Sequence, residues 1–288
     1  MGRIIMNMEK LGFEHKDLLY ERLRRIDTSI SEYTFANIYL FRQSHDYELI
    51  FGDNIFIRGK TFDGFTYLMP AFDIKEADYS YLKNLIRDVD FFFPVPEEWL
   101  ENFNSEDFDF SYNEGDTDYI YTSEKISTFK GRRLHKKRNL LKQFLSLHEP
   151  EGFALTQDRT DDAVNTLKQW QKDVDASPYE TDFAPCLEAL KLYDELNLYG
   201  RIYYVDGEPG GFIIGEELNE ETFVLHFAKG KRKFKGLYQY MYNTFAKSLP
   251  QDYKFLNFEQ DLGHLALKIA KSSYVPDLML KKFRVGLR

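Results

Sequence analysis

Three polar residues at alternate positions near the end of the chain have the types and spacing of an acid–base site. The stretch FLNFEQDLGHLALKIAKSSYVPDLMLKKFR, residues 255–284, contains Asn257, Glu259 and Asp261. Residues two apart share one face of a β-strand, so these side chains are expected to line up where a buried strand ends. Glu259 then suits a proton acceptor, and Tyr274 suits a proton donor. Alternatively, Asp261 caps the following helix and Asn257 ties down a loop.

A second candidate site is the basic stretch FVLHFAKGKRKFKGLYQYM, residues 223–241, where a predicted strand runs through a loop into a predicted helix. Lys233 and Lys235 precede the helix start, where backbone N–H groups and the helix dipole favour an anion. Gly236 and Leu237 belong to the same anion cradle, because a glycine lets the backbone approach a phosphate closely. The alternative is a solvated basic turn, which is common in proteins.

A third feature is FKGRRLHKKRNLLKQF, residues 129–144, which gathers seven Lys and Arg and no carboxylate in a chain of formal net charge −9. As a helix, this segment places Leu134, Leu141, Phe144 and Leu145 on one face and leaves a basic side. A solvated face normally mixes both signs of charge, so the pattern favours contact with a polyanion. The residues expected to make that contact are Arg132, Arg133, Lys136, Lys137 and Arg138.

Composition limits the classes of protein to consider. A chain of 288 residues allows one large or two medium domains, and its pI near 5.3 argues against general affinity for nucleic acid outside a local patch. The single cysteine, Cys186, cannot form an internal disulfide, and neither it nor the separated His226 and His264 has metal-ligand spacing. We expect all three to be core or surface residues. Without a signal peptide or an apolar span, the expected location is the cytoplasm.

The elements that must position these residues follow a similar order twice. The second half reads as a strand, two helices, three antiparallel strands, a helix, a strand, a helix and a closing strand LMLKKFRV. The first half reads as a helix over residues 8–30, three antiparallel strands with turns at Gly52–Asn54 and Asp63–Gly64, a helix, a buried strand and a short helix. Residues 104–118 are expected to combine a strand with an exposed loop.

This order is similar to that of the GNAT acyltransferase superfamily. The resemblance implies an α+β fold of two tandem GNAT-like domains, each a mixed, mostly antiparallel sheet flanked by helices. The expected domains are residues 1–148, a degenerate copy, and 149–288, which holds the expected active site. It further implies that the sheet opens beyond His226, and that a strand N–H near Phe227 or Ala228 polarises the carbonyl. CoA-dependent members carry a small residue where this chain has Tyr238.

Three stretches carry a more specific resemblance: DYIYTSEKISTFKGRRLHKKRNLLKQF, KFKGLYQYM and NFEQDLGHLALKIAKSSYVPDLMLKKF. They resemble the soluble relatives of the C-terminal domain of phosphatidylglycerol lysyltransferases. The characteristic run is Tyr119, Leu134, His135, Lys136, Lys137, Arg138, Asn139 and Phe144. The resemblance implies kinship with transferases that take an aminoacyl group from charged tRNA. It does not imply the same acceptor, because the membrane-spanning part of those enzymes is absent here.

The leading hypothesis is an acyl or aminoacyl transferase whose donor is aminoacyl-tRNA or acyl-CoA and whose acceptor is an unknown amine or hydroxyl. No covalently bound cofactor and no metal are expected. The N-terminal copy has no glycine and little positive charge at the equivalent loop, so it is expected to be structural or acceptor-binding. The rival hypothesis is a non-catalytic module that holds RNA or another polyanion on the basic helix.

Overall fold

The computed structural model describes residues 7–288. The chain passes more than once between two structural units. The first unit comprises residues up to Asp118 together with Gln260–Leu265 and Met279–Arg288. The second unit comprises Tyr119–Glu259 and Ala266–Leu278. These bounds differ from the expected division after residue 148. Residues 119–147 supply a strand and two helices to the second unit, and residues 283–287 supply a strand to the first.

Each unit is built on one sheet of seven strands. The first sheet contains β1 (Asn7–Lys10), β2 (Glu48–Phe51), β3 (Ile55–Lys60), β4 (Thr66–Pro70), β5 (Phe91–Val95) and β6 (Phe108–Tyr112). The second contains β7 (Asp118–Thr122), β8 (Pro150–Ala154), β9 (Tyr199–Val205), β10 (Glu208–Glu217), β11 (Thr222–Gly230), β12 (Phe255–Asn257) and β13 (Leu278–Leu280). The last strand, β14 (Phe283–Leu287), returns to the first sheet.

Helices flank these sheets. In the first unit they are α1 (Lys16–Arg24), α2 (Phe35–Leu40) and α3 (Tyr79–Leu85). In the second they are α4 (Ser123–Thr128), α5 (His135–Leu147), α6 (Thr160–Asp173), α7 (Phe183–Lys191), α8 (Leu237–Ser248) and α9 (Leu265–Ser272), whose first residue belongs to the first unit. Within residues 7–288, every helix is too short or too polar to cross a bilayer.

The two sheets share one order of strand directions. In the first, β1 to β4 are antiparallel neighbours, β4 and β5 are parallel, and β14 lies antiparallel between β5 and β6. In the second, β8 to β11 are antiparallel, β11 and β12 are parallel, and β7 lies antiparallel to β12. The predicted α+β class, with two mixed, mostly antiparallel sheets, is confirmed. The common order also agrees with the internal repeat.

Local sequence explains the hairpins that were predicted. Asp206 and Gly207 turn the chain between β9 and β10 with φ of 54° and 81°, which is the backbone of a type I′ turn. Their neighbours along β9 alternate, apart from one pair of buried residues, between buried and partly exposed positions, as a strand with one better packed face requires. The strands around Gly52–Asn54 and Asp63–Gly64 likewise form β2, β3 and β4.

Four expectations about elements were wrong. The helix expected over residues 8–30 is shorter, because residues 7–10 pair with β2 and helix α1 begins only at Lys16. The closing strand is two strands, β13 and β14, which join different sheets. The strand β7 and the helix α4 were not expected. Leu134, just before α5, and Phe144 on α5 are buried as expected, but Leu145 is 50% exposed.

Candidate active site

The second sheet opens between its two parallel strands. β11 and β12 pair only at Thr222–Phe255, Phe223–Leu256 and Val224–Asn257, whereas β11 continues to Gly230. The expected opening is therefore present, and it begins at the end of β12.

A bulge in β11 lies at the start of this opening. Ile214 of β10 is opposite Phe227, but the next residue, Gly215, is opposite Leu225. His226 is therefore the extra residue on β11, and such a bulge redirects a side chain and twists the strand locally.

His226 lies between two carboxylates. Its Nδ1 is 2.7 Å from Oε1 of Glu259, and its Nε2 is 2.9 Å from Oε1 of Glu216. The exposed fractions of the side chains are 0% for His226, 5% for Glu216 and 13% for Glu259. The three residues form a buried cluster whose outermost member is Glu259.

The two carboxylates determine the protonation state of His226 near neutral pH. Burial alone would lower the pKa of His226, but the hydrogen bonds and charges of Glu216 and Glu259 outweigh burial and raise it to about 10. The imidazolium therefore donates from both ring nitrogens, to Glu216 and to Glu259.

A tight turn holds the backbone of Glu259. Its φ is 57°, and its N–H donates to Oδ1 of the fully buried Asn257 at 2.6 Å. Its carbonyl accepts from Tyr119 N at 3.3 Å and from Lys271 Nζ at 3.2 Å. Asn257 therefore positions Glu259. This contact corresponds to the alternative in which Asn257 ties down a loop.

The expected alignment of three polar side chains on one strand face was wrong. β12 ends at Asn257, and the left-handed φ of Glu259 stops the strand alternation there. Asp261 belongs to the first unit, is 2% exposed, and accepts from Gly263 N at 2.8 Å. That bond ties the turn at residues 261–263, before α9 begins at Leu265.

Tyr274 lies in an aromatic cluster of the second unit. Its ring packs against Tyr242 and Phe129 at centroid distances of 5.4 Å and 5.8 Å, and its hydroxyl accepts from Gln239 Nε2 at 2.8 Å. Burial raises the pKa of Tyr274. The hydroxyl therefore holds its proton at neutral pH, as a proton donor must.

The basic loop of residues 229–236, called the donor loop below, was predicted to bind phosphate. Carboxylates neutralise most of its positive charge. Lys229 is buried on β11, and its Nζ lies 2.6 Å and 2.7 Å from the two oxygens of Asp182. Lys231 and Lys233 both pair with Glu208. A cavity of about 410 Å³ adjoins the loop, lined by Gln169, Asp173, Lys231, Arg232 and Lys233. Lys235 is exposed, and no carboxylate within residues 7–288 pairs with it.

The start of α8 is packed inside the protein. Gly236 has φ of 98°, and a Cβ there would lie 2.7 Å from Leu140 O and 2.8 Å from Phe144 Cβ. The glycine therefore allows α5 to approach, which differs from the expected approach of a phosphate. Leu237 is fully buried, and its N–H donates to Phe234 O at 3.1 Å.

The side chain of Phe227 is also buried, whereas Ala228 is partly exposed opposite Ile213 of β10. Tyr238 accepts from Gly230 N at 3.1 Å through its hydroxyl. This bond ties the end of β11 to the first turn of α8.

The five residues of the predicted polyanion surface differ in their surroundings. Arg132, Arg133 and Lys136 are exposed. Lys137 donates to Ser273 Oγ at 2.6 Å and lies 3.7 Å above the ring of Tyr274, and burial lowers the pKa of Lys137 to about 8. Arg138 donates to the carbonyl oxygens of Phe129 and Gly131.

The partners of Glu259 were not predicted from the sequence. Glu216 lies within the run FIIGEEL, and a carboxylate inside a buried strand requires a buried partner. His226 on the next strand was interpreted as a core or surface histidine. It is buried, but it bonds two carboxylates. His264 is exposed and Cys186 is buried, as expected.

Comparison with known proteins agrees with this architecture. Residues 23–286 match the family described as "Phosphatidylglycerol lysyltransferase, C-terminal". This chain belongs to that family. The match includes every strand of the second sheet and most strands of the first.

Two further proteins in the comparison have no stated function. An uncharacterised protein of Mycoplasmoides gallisepticum is 27% identical over 182 residues, which span 60% of this chain and 57% of that protein. A crystal structure of a conserved protein of unknown function from Bacteroides thetaiotaomicron is 25% identical, with a TM-score of 0.85, covering 99% of this chain and 100% of that one.

The fold is also that of L-PGS from Bacillus licheniformis, with a TM-score of 0.55 at 12% identity, covering 85% of this chain and 89% of that one. At a general level, membership of the phosphatidylglycerol lysyltransferase C-terminal family and this fold support aminoacyl transfer from a carrier.

Proposed function

We propose that this protein transfers an aminoacyl group from tRNA to an amine or hydroxyl acceptor, with Glu259 as the proton acceptor. The observation that carries the proposal is the Glu216–His226–Glu259 cluster at the point where β11 and β12 part. Open α/β sheets bind ligands at the carboxyl ends of their strands, where this cluster lies.

Each candidate group has a role in the proposed reaction. The acceptor nitrogen or oxygen attacks the ester carbonyl of the aminoacyl group, and its proton passes to Glu259. A strand N–H near Phe227 or Ala228 stabilises the developing oxyanion. The ester C–O bond then breaks, and the departing ribose oxygen takes a proton from the hydroxyl of Tyr274 or from water.

The cluster suits Glu259 to this proton transfer. Glu259 is the outermost residue of the cluster, and a largely buried carboxylate loses part of the electrostatic cost of burial when it takes up a proton. Glu216 keeps His226 protonated and oriented, and it acts through the histidine as a positioning residue.

The surroundings of the donor loop favour tRNA over acyl-CoA. Tyr238 occupies the position of a small residue in CoA-dependent relatives, and its hydroxyl bonds Gly230 N. Gly236 is covered by α5, and Lys231 and Lys233 pair with Glu208. These contacts leave less positive charge for a pyrophosphate than the sequence suggests. The basic segment around α5 is a second source of phosphate contacts.

Substitution of Glu259 by glutamine, which replaces one carboxylate oxygen by an amide nitrogen, tests the proposal. Glu259→Gln keeps the size of the side chain but removes the proton acceptor, so transfer should fall about 10²- to 10⁴-fold. The assay follows loss of a labelled aminoacyl group from charged tRNA with lipid and small-molecule cell fractions as acceptors.

Glu221→Gln is the matched control, because it makes the same change of charge at an exposed glutamate paired with Lys254. Binding of uncharged tRNA should be unaltered in both variants. Transfer by Glu259→Gln at the rate of the control would remove Glu259 from the mechanism.

A non-catalytic polyanion-binding module is the second candidate. It is favoured by Arg132, Arg133 and Lys136, which are exposed and pair with no carboxylate within residues 7–288. Binding of uncharged tRNA without transfer from any charged tRNA would support this function.

A further inference from the structure

A recess between three helices of the second unit is lined by cations. It has a volume of about 330 Å³, and its lining residues are Ser127, Thr128, Arg138, Leu141, Lys142, Asn243 and Lys247. Arg138 and Lys142 are one turn apart on α5, as are Asn243 and Lys247 on α8, so each pair faces the recess from one helix. Within the described part of the chain, no Asp or Glu lines this recess. We infer that the recess binds a backbone phosphate of RNA.

Neutral groups hold two of the three cations in place. Arg138 donates through Nη1 to the carbonyl oxygens of Phe129 and Gly131, and Lys247 donates to Oδ1 of Asn243 at 2.7 Å. Carbonyl and amide oxygens orient a cation without cancelling its charge. The positive charge of both residues therefore remains available to a ligand.

The buried amide of Asn243 is itself fixed. It is 3% exposed, and its Nδ2 donates to Ile126 O at 3.2 Å and to Ser127 O at 2.7 Å. Both donor hydrogens are thus used at the end of α4, which leaves Oδ1 to face Lys247. This arrangement determines the position of the lysine before any ligand binds.

The donor loop shows the opposite design. There Lys229 pairs with Asp182, and Lys231 and Lys233 pair with Glu208. Lys142 in the recess is exposed and has no carboxylate partner within residues 7–288. In a chain of net charge −9, adjacent cations without a carboxylate repel one another until an anion binds.

The surroundings of the recess favour a polymer over a small phosphate ester. Leu141 is its one apolar lining residue, and no aromatic ring lines it within the described residues to stack a base. The adjoining segment carries Lys130, Arg132 and Arg133, all exposed and without a carboxylate partner in residues 7–288. A phosphodiester chain can contact such a series of cations, and sequence-independent phosphate contacts position RNA. The inference rests on the proposed function, because it assigns the donor tRNA to this surface.

The test compares two double variants of equal charge change. Lys142→Gln with Lys247→Gln removes two cations of the recess, whereas Lys168→Gln with Lys191→Gln removes two exposed lysines of α6 and α7. The probe is uncharged tRNA, and its affinity is measured from 50 to 200 mM salt. Equal melting temperatures of the variants confirm that folding is intact.

We expect the recess variant to bind tRNA more weakly, by roughly tenfold at about 0.1 M salt for each phosphate that it no longer neutralises. The slope of log affinity against log salt should fall by about one for each such phosphate. The control should keep the slope of the unmodified protein.

Two results would overturn the inference: equal slopes for the two variants, or no tRNA binding by the unmodified protein. The assay involves no transfer chemistry. Equal slopes with intact transfer would therefore reject the recess and leave the proposed function standing, whereas full transfer by Glu259→Gln would remove Glu259 from the mechanism and leave the recess unaffected.

Discussion

Each unit of this protein buries a cation between two carboxylates, but the cations differ. In the first unit, Lys282 Nζ lies 2.6 Å from Glu32 Oε2 and 2.7 Å from Asp118 Oδ1. In the second, His226 bridges Glu216 and Glu259. The lysine cluster is closed by further bonds to Ser31 and Gln260, whereas the histidine cluster ends at the opening between two strands. The same arrangement of charges thus serves stability in one place and suits proton transfer in the other.

The strand openings of the two sheets show a parallel contrast. In the first sheet, β4 and β5 pair at Tyr67–Phe91 and Leu68–Phe92, and the residues that follow are the buried Met69 and Phe93. The carboxylate of Asp78 caps α3, accepting from Tyr81 N at 3.0 Å, where α8 has Gly236 without a side-chain cap. Apolar side chains and a carboxylate at these positions suit no anionic donor. They support a structural or acceptor-binding role for the first copy.

Removal of the lysine should have the largest effect. Lys282→Met leaves Glu32 and Asp118 buried without their cation, so the free energy of unfolding should fall by about 3–5 kcal/mol. Urea denaturation measures the loss. Lys281→Met, at the exposed neighbouring lysine, should change stability by less than about 0.5 kcal/mol. A Lys282 variant as stable as that control would show that the first cluster contributes no stability.

The histidine cluster should make the free energy of unfolding depend on pH above neutrality. Because the pKa of His226 is raised to about 10 in the folded protein, its contribution to stability is complete below pH 6.5 and is lost as the pH rises through about 10. Between pH 7 and pH 9 the loss should be about 2–3 kcal/mol. His226→Gln should lack this component. Parallel stability curves for the variant and the unmodified protein would contradict a protonated His226.

The lysine cluster should show a smaller dependence at lower pH. Burial raises the pKa of Glu32 to about 7, against the opposing charge of Lys282. The stability associated with its protonated form is therefore complete below pH 4.5 and is lost as the pH rises through about 7. Between pH 6 and pH 7 the unmodified protein should lose about 1 kcal/mol that Glu32→Gln does not lose. Identical slopes over this interval would mean that Glu32 is ionised throughout.

The sequence predicted the elements whose signals are local. The hairpin at Asp206–Gly207, the helix at α8 and the three antiparallel strands β9, β10 and β11 follow from turn chemistry and periodicity. The exchange of β7 and β14 depends on pairing between residues far apart in the chain, and no local pattern indicates it. Residues 7–10 illustrate the same limit, since pairing with β2 overrides a helical pattern.

The candidate site was predicted in part. Glu259 was identified from its residue type and its position after a buried strand, but its partners were not. Glu216 and His226 are brought together by a register shift in the β10–β11 pair, which a single sequence does not reveal. The number of lysines in the donor loop overestimated its free positive charge for a related reason. The carboxylates that pair with these lysines, Asp182 and Glu208, lie outside the loop.

The position of β14 bears on how the protein is made. This strand lies between β5 and β6, so β6 is joined to its sheet only through residues 283–287. On the ribosome, residues 108–112 are therefore synthesised long before the strand that holds them in place. The N-terminal unit cannot finish folding first, although domains commonly fold in the order of their synthesis. The last strand of the first sheet, β14, is synthesised only after β7 to β13, the strands of the second sheet.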